Sequence, residues 1–501
     1  MKFVFKSVNT LPKLAWCAVI EREKESVEIL HGPWVEFRER FFVEGVWDGS
    51  FADGDFNEST SFMGSGGKIS NGKVTFVAPC HTIERLIWVR RDNFLFVSNS
   101  LTFALKKSGL RLDIDYIPYI SDFASISRGI KKYTRNIPTL DGVNLNLVYY
   151  RNIEVDKNLN VHEIDKNSPP EFTDFGSYNY YLVSSLKKLA KNANDDLRSI
   201  NYTPITTVSK GYDSVACSAL GREIGCSKAI TISGPGKYIV DCGTKLAEVL
   251  GYKDIKEYNA DSYKLKIDEF PEAEFFASGE LGTDCFWSAF EDELPGTMVL
   301  TGIHGDKVWD VNNKHVTRDI VRSLPAATSI CEYRLRVGFI QVPIPFLGCV
   351  SHKSIRKISN SEEMRPWRTN NDYDRPIPRR IVEEKGVARN LFGFVKVGAG
   401  FNVQWYPKIL MKKIMNPNSY QAFFKFYKEN KGKRSFRQYF IHHIIYRLFF
   451  ISLSLNYFLS KIKCRWRLPK INIPDKYTSN PDAPSFLLHW GLQVIDDRYS
   501  T

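Results

Sequence analysis

Between residues 1 and 165, apolar and polar residues alternate in short runs: "VEILHG", "KVTFVAP", "RLIWVRRDNFLFVS" and "NLNLVYYRNIEV". Stretches rich in turn residues, such as "DGSFADGDFNES" and "GSGGKISNGK", separate them. Alternation of period two sets one face of each run against a core and the other toward solvent. This part therefore predicts an antiparallel β-rich domain with few helices. The segment "EIDKNSPPEFTDFGS" then brings two prolines and several polar residues, the composition of a linker.

After the linker the rhythm changes. Long stretches of helical spacing, "YNYYLVSSLKKLAKNANDDLRS", "VACSALGREIG" and "DCGTKLAEVLGY", alternate with short β runs, "PITTVS", "KAITIS" and "GTMVLTG". Strand and helix in turn imply an α/β unit, a parallel sheet with helices on its faces, whose ligands bind at the carboxyl ends of the strands. The last hundred residues are helical, aromatic and basic. Their cleanest apolar run, Leu448 to Ser460, is 13 residues long. A bilayer span takes about 20, so the run predicts no crossing.

Composition changes this picture at two points. The chain of 501 residues is 43% hydrophobic and 25% charged, as expected for a folded chain of two or three domains. Of its formal charge of +13, nearly all sits in residues 401–501, with 17 Lys or Arg against 5 Asp or Glu. Only the tail therefore calls for an anionic partner. Nine cysteines are scattered without a CxxC pair, which reads as reduced thiols. The N-terminus "MKFVFKSVNTLPKLAW" lacks the apolar core of a secretory signal. These features predict a cytoplasmic protein.

Two loops carry candidate chemistry. The β run Ile205–Val208 stops at Ser209-Lys210-Gly211-Tyr212-Asp213-Ser214, just before a helix. Backbone N–H groups at such a turn favour an anion; Gly211 admits phosphate close to the backbone, and Ser209 and Ser214 supply hydroxyls. An acid beside phosphate makes sense with a cation between them, so Asp213 reads as a magnesium ligand. The alternative is a simple helix N-cap by Asp213 or Ser214. The second loop, Thr301-Gly302-Ile303-His304-Gly305-Asp306-Lys307, follows "GTMVLTG", and Asp306 is a candidate partner of Asp213.

The first loop resembles the Ser-Gly-Gly-x-Asp-Ser pyrophosphate loop of the N-type ATP pyrophosphatases. The second resembles the Ser-Gly-x-Gly-Ser-Asp-Glu segment of asparagine synthetases and β-lactam synthetases. "VPIPFLG" (342–348) and "RPIPRRIVEEKGVARNLFGF" (375–394) resemble later segments of that family in the same order, and "RLIWVRRDNFLFVSNSLTFAL" (85–105) is similar to the end of its glutaminase domain.

The resemblance implies an Ntn-hydrolase-like domain over 1–165, a PP-loop ATP pyrophosphatase domain over 175–400, and a helical extension over 401–501. It implies that Ser209, Gly211, Asp213 and Ser214 hold the phosphates of ATP. Ser233 and Gly302 would flank the nucleotide, and Asp213 and Asp306 would hold Mg2+. The implied reaction is adenylation of a substrate carboxylate, followed by displacement of AMP by ammonia or a small amine.

The chain also departs from the family. Residue 2 is Lys where a glutamine-dependent enzyme has its nucleophilic cysteine, and Cys17 has no free amine beside it. The N-terminal domain is thus expected to be a degenerate relative that releases no ammonia from glutamine. Lys210 replaces a glycine and is expected to reach the phosphates, Ile303 replaces a glutamate, and Lys307 replaces the final acid. Leu391 stands where a lysine is expected, with Lys396 near enough to substitute.

His304 is a candidate base titrating near neutral pH. Asp284, Glu291, Asp292 and Glu293 read as surface acids. The basic tail fits a membrane-surface helix, suiting a small-molecule or glycan-precursor carboxylate, or a solvated helical face; RNA is a weaker fit. Two other functions stay open: a tRNA- or nucleobase-modifying PP-loop enzyme, and a nucleotide-binding pseudoenzyme acting through interaction.

Overall fold

The computed structural model describes residues 1–234, 241–266, 270–279, 284–322, 327–394, 408–461, 477 and 479–501. The N-terminal region carries β1 (Lys2–Ser7), β2 (Trp16–Glu21), β3 (Ser26–His31), β4 (Glu36–Arg38), β5 (Phe41–Val46), β6 (Met63–Ser70) and β7 (Lys73–Val77). It continues with β8 (Leu86–Arg91), β9 (Phe94–Ser98), β10 (Asn136–Pro138), β11 (Asn144–Val148), β12 (Asn152–Val155) and β13 (Val161–Ile164). They form a seven-stranded sheet, β1-β3-β2-β9-β8-β11-β10, and a six-stranded sheet, β13-β12-β7-β6-β5-β4.

Alternation along these strands decides what each face meets. Trp16, Ile20, Val27, Leu86 and Leu95 of the first sheet interlock with Phe42, Val74, Phe76 and Ile153 of the second, closing a two-layer sandwich. Residues of opposite parity in the first sheet, including Cys17, Ile87, Val89 and Leu147, face the large core shared with the rest of the chain. Pairing is antiparallel as expected, with one exception: β1 runs parallel to β3. The chain reverses twice on its way from β1 through β2 to β3, so the edge strand returns to its starting direction.

Cys17 is buried completely, and burial pushes its thiol up to about 12. It is a core side chain held as the thiol.

Asp174 starts the next helix, Phe175–Ala193, through a reciprocal capping box with Ser177, and the helix buries Phe175, Tyr178, Leu182, Leu186 and Leu189 at spacings of three and four. A second sheet system follows: β14 (Thr203–Thr207), β15 (Lys228–Ser233), β16 (Asp254–Asn259), β17 (Thr297–Thr301) and β18 (Phe339–Pro343), in the order β16-β15-β14-β17-β18. Each pairing in it is parallel. Strands β17 and β18 are buried throughout, as a sheet covered on both faces requires. The chain is thus α/β, with an antiparallel β-rich N-terminal region ahead of a parallel sheet and its helices.

The two regions are joined by buried charge. Arg334, on the helix Cys331–Val337 that leads into β18, makes a bidentate pair with Glu44 of β5 at 2.7 and 2.9 Å and reaches Glu84 at 2.8 Å. Two residues earlier, Glu332 accepts the backbone N–H of Leu101 at 2.7 Å and the hydroxyls of Ser100 and Tyr499. Tyr499 is itself buried, so its ring ties the C-terminal segment to this core. Elsewhere in the tail are the helices Lys408–Ile414, Pro417–Asn430, Phe436–Lys461 and Leu487–Ile495. Among the described residues, no helix is long and apolar enough to cross a membrane.

Candidate functional site

From the centre of the parallel sheet the chain first builds outward through β15 and β16, then returns to lay β17 and β18 on the other side of β14. The order therefore reverses between β14 and β17, and the loops leaving their carboxyl ends part there to leave a crevice. Those loops are Ser209–Ser214 and Gly302–Asp306, the two singled out by sequence.

Glycines bring them into contact. A Cβ on Gly302 would lie 2.5 Å from the backbone carbon of Asp213, and one on Gly305 would lie 2.6 Å from its Oδ1. Neither position has room for a side chain. Gly302→Ala is accordingly expected to push the loops apart and lower stability by about 1–3 kcal/mol. Gly211 differs: it has ordinary φ, and its added Cβ would meet nothing nearer than 3.5 Å. Gly211→Ala is expected to leave stability within about 0.5 kcal/mol of wild type. Thermal unfolding of the two variants side by side checks the contrast.

The first loop is held from within. Ser209 Oγ and Ser214 Oγ lie 2.8 Å apart, Ser214 Oγ accepts the N–H of Ser209 at 3.0 Å, and Ser209 Oγ accepts that of Gly211 at 3.3 Å. The helix Tyr212–Gly221 begins after Gly211, with no side chain capping it. The simple N-cap reading of Asp213 or Ser214 is thereby corrected: the Asp213 carboxylate is engaged elsewhere. It pairs with Arg375, which is 1% exposed and whose Nε also lies 3.8 Å from Asp310. Burial opposes the charge on Arg375, but Asp213, Tyr373 and Asp306 together outweigh it and hold its pKa above the ordinary value.

Tyr373 stands over the same loop. Its hydroxyl accepts the N–H of Tyr212 at 3.4 Å, and its ring lies under the Arg375 guanidinium at 4.8 Å. Gly393, from the segment that resembles the family's Gly-Phe region, donates its N–H to the Lys210 carbonyl at 2.8 Å. The Lys210 side chain is exposed. Ser233 ends β15, with its hydroxyl 3.5 Å from the Tyr258 carbonyl; it thus sits one strand away from the first loop at the same sheet edge. Lys396 lies outside the described residues.

His304 requires a correction. It is buried, stacks on Phe346 at 4.6 Å between centroids, and adopts a left-handed backbone with φ of 79°. Burial, reinforced by the Arg322 guanidinium, pulls its pKa down to about 3. The imidazole is neutral throughout the physiological range, so His304 does not titrate near pH 7 as its sequence context suggested. The unfolded chain takes up that proton near pH 6.5 and the folded chain does not. His304 therefore lowers stability as pH falls below 6.5, with its share of the loss complete near pH 3. Replacing it with Asn, which tolerates the same left-handed backbone, is expected to flatten the stability profile between pH 6.5 and 4.5. Urea unfolding of both proteins across that range checks the sign.

Of the acids read as surface groups, Asp292 is exposed as expected, whereas the other three are held in place by partners. Asp284 accepts from the Ala327 N–H and the Ser329 hydroxyl, Glu291 pairs with Arg336, and Glu293 pairs with Lys228. Sequence reasoning passed over Arg375 and Tyr373. Arg375 opens the stretch that resembles the family, but nothing local marks it as the partner of an aspartate 162 positions earlier.

The donor set suits a hard cation. Two carboxylates, Asp213 and Asp306, come from adjoining loops, and among the described residues no cluster of three or more His, Cys, Asp or Glu forms a complete protein cage. Magnesium takes one or two carboxylates and completes its shell with water and substrate phosphate. Neither a scan of protein-family models nor a search of curated proteins finds a match to this chain.

Proposed function

We propose that the chain is an ATP-dependent, AMP-forming ligase resembling asparagine synthetase. Its C-terminal sheet would be a PP-loop domain, and its N-terminal sandwich a degenerate Ntn-hydrolase-like domain without a glutaminase nucleophile. The observation that carries this reading is the meeting of the two loops at the reversal of strand order, with Gly302 and Gly305 packed on Asp213.

In this reading the Ser209–Ser214 loop binds the β- and γ-phosphates, and Gly302 and Ser233 flank the nucleoside. A carboxylate oxygen of the substrate attacks the α-phosphorus and the bond to the bridging oxygen breaks, so that pyrophosphate leaves with the electron pair. Ammonia or a small amine then attacks the acyl carbon, AMP departs, and the amine's proton passes to solvent. Asp213 and Asp306 would hold magnesium, which supplies charge neutralisation for the departing pyrophosphate. Arg375 and the loop N–H groups add fixed positive potential at the same place. Neutral His304 can accept a hydrogen bond but carries no charge to the reaction.

The chemistry calls for a small-molecule or glycan-precursor carboxylate. The test supplies purified protein with magnesium, ATP labelled at the α-phosphate and a small-molecule extract of its host. Extract-dependent AMP and pyrophosphate, absent from Asp306→Ala, are expected. ATP binding without AMP under all extract fractions would overturn adenylation and leave a nucleotide-binding protein, a reading to which Ile303 and Leu391 already point.

A further inference from the structure

The helix Phe436–Lys461 is mounted with its apolar side outward. Phe436, Phe440, Ile444, Leu448, Ile451, Leu455 and Phe458 follow one another at spacings of three or four, so they share one face along the whole helix. All are exposed, Phe436 at 77%, Leu448 at 53% and Phe458 at 59%. The opposite side holds the helix to the protein, and it does so through polar groups. His442 Nε2 bonds the Ser479 carbonyl at 2.9 Å, the Tyr439 hydroxyl donates to Asp482 at 2.6 Å, and Tyr446 is buried beside them. A surface helix of a water-exposed protein is oriented the other way.

Charge indicates what covers this face. The helix has no Asp or Glu, and Arg437 and Arg447 are both exposed on it. From 408 to 461 there are eleven Lys or Arg against the single acid Glu429. A second copy laid on this face would bring two such cationic surfaces together, whereas an anionic lipid surface neutralises them. At 26 residues the helix is about 39 Å long. With cations along it and no span among the described helices, it suits lying in the plane of an interface.

We propose that Phe436–Lys461 is a monotopic membrane anchor. It inserts its Phe440, Ile444, Leu448, Ile451 and Leu455 face at the boundary of headgroups and acyl chains of an anionic phospholipid bilayer, while Arg437 and Arg447, which share that face by the same spacings, extend their long side chains back to the headgroups. This inference is independent of the ligase reading.

The test is co-sedimentation of the full chain with vesicles of phosphatidylcholine alone or mixed equally with phosphatidylglycerol, alongside light scattering without lipid. Binding to the mixed vesicles is expected, with weaker binding to the neutral ones. Arg437→Gln and Arg447→Gln should each lower the partition coefficient about fivefold. The double variant Leu448→Glu/Ile451→Glu should abolish binding while keeping the wild-type thermal transition, because both positions are exposed. Unchanged vesicle binding by that double variant would overturn the proposal. So would a wild type that ignores vesicles, including one that is a dimer which the double variant makes monomeric, since the face would then belong to a second copy.

Discussion

Replacing Arg334 with alanine is expected to lower the stability of the chain by about 3–5 kcal/mol. Arg334 lies between Glu44 and Glu84 and pairs with both, and it also donates to the Phe339 carbonyl at 3.2 Å. Glu44 has neutral donors besides, Ser65 Oγ at 2.6 Å and Asn99 Nδ2 at 3.2 Å, but hydrogen bonds do not cancel a buried charge.

The sign of the pH dependence follows from Glu84. Burial, opposed by Arg334, raises its pKa to about 7 in the folded protein. Stability from this group is fully present below its unfolded value near 4.5 and is lost as pH rises through about 7. Without Arg334 the folded pKa climbs further and the loss grows. The deficit of the variant should therefore be greater at pH 8 than at pH 5.5, as measured by urea unfolding at both. A deficit below about 1 kcal/mol, or one independent of pH, would mean that the interface accommodates the bare carboxylates.

If the proposed reaction runs, Asp213→Asn should reduce AMP formation about a hundredfold or more, because it removes the charge that would bind magnesium and that pairs with Arg375. It should also destabilise the protein, since Arg375 would keep its charge in a buried site. The two effects can be separated. Adding Arg375→Met to Asp213→Asn removes the stranded cation and is expected to recover most of the stability and none of the activity. Asp306→Ala, which leaves the Asp213–Arg375 pair in place, should lose activity with a smaller change in melting temperature. Steady-state AMP release and thermal unfolding of the four proteins check this pattern. Activity returning together with stability in the double variant would show that Asp213 serves only to balance the buried charge of Arg375.

These residues mark how much of the protein can be read from its sequence. The period-two runs before residue 165 become strands, and "KAITIS" is β15 residue for residue. "PITTVS" covers β14 except its first residue, Thr203, "GTMVLTG" contains β17, and both candidate loops fall at the carboxyl ends of these strands. All of this depends on neighbours a few positions apart, where alternation, glycine and turn chemistry act directly on the backbone. The tail's helices and its excess of cations were legible for the same reason.

What chain-local patterns cannot carry is pairing at long range. The order β16-β15-β14-β17-β18 is set by how strands pack after the chain has folded back, and this order makes two distant loops into one crevice. Arg375 finds Asp213 across 162 residues, and Arg334 finds Glu44 across 290. His304 shows the limit most directly, because its residue type sets a pKa near neutrality and only burial against Phe346 and Arg322 brings it to about 3. The sequence by itself determined the elements, the loops and where the charge lies. The tertiary structure alone decided which groups are desolvated and which charges meet, because those depend on contacts between segments that no local pattern encodes.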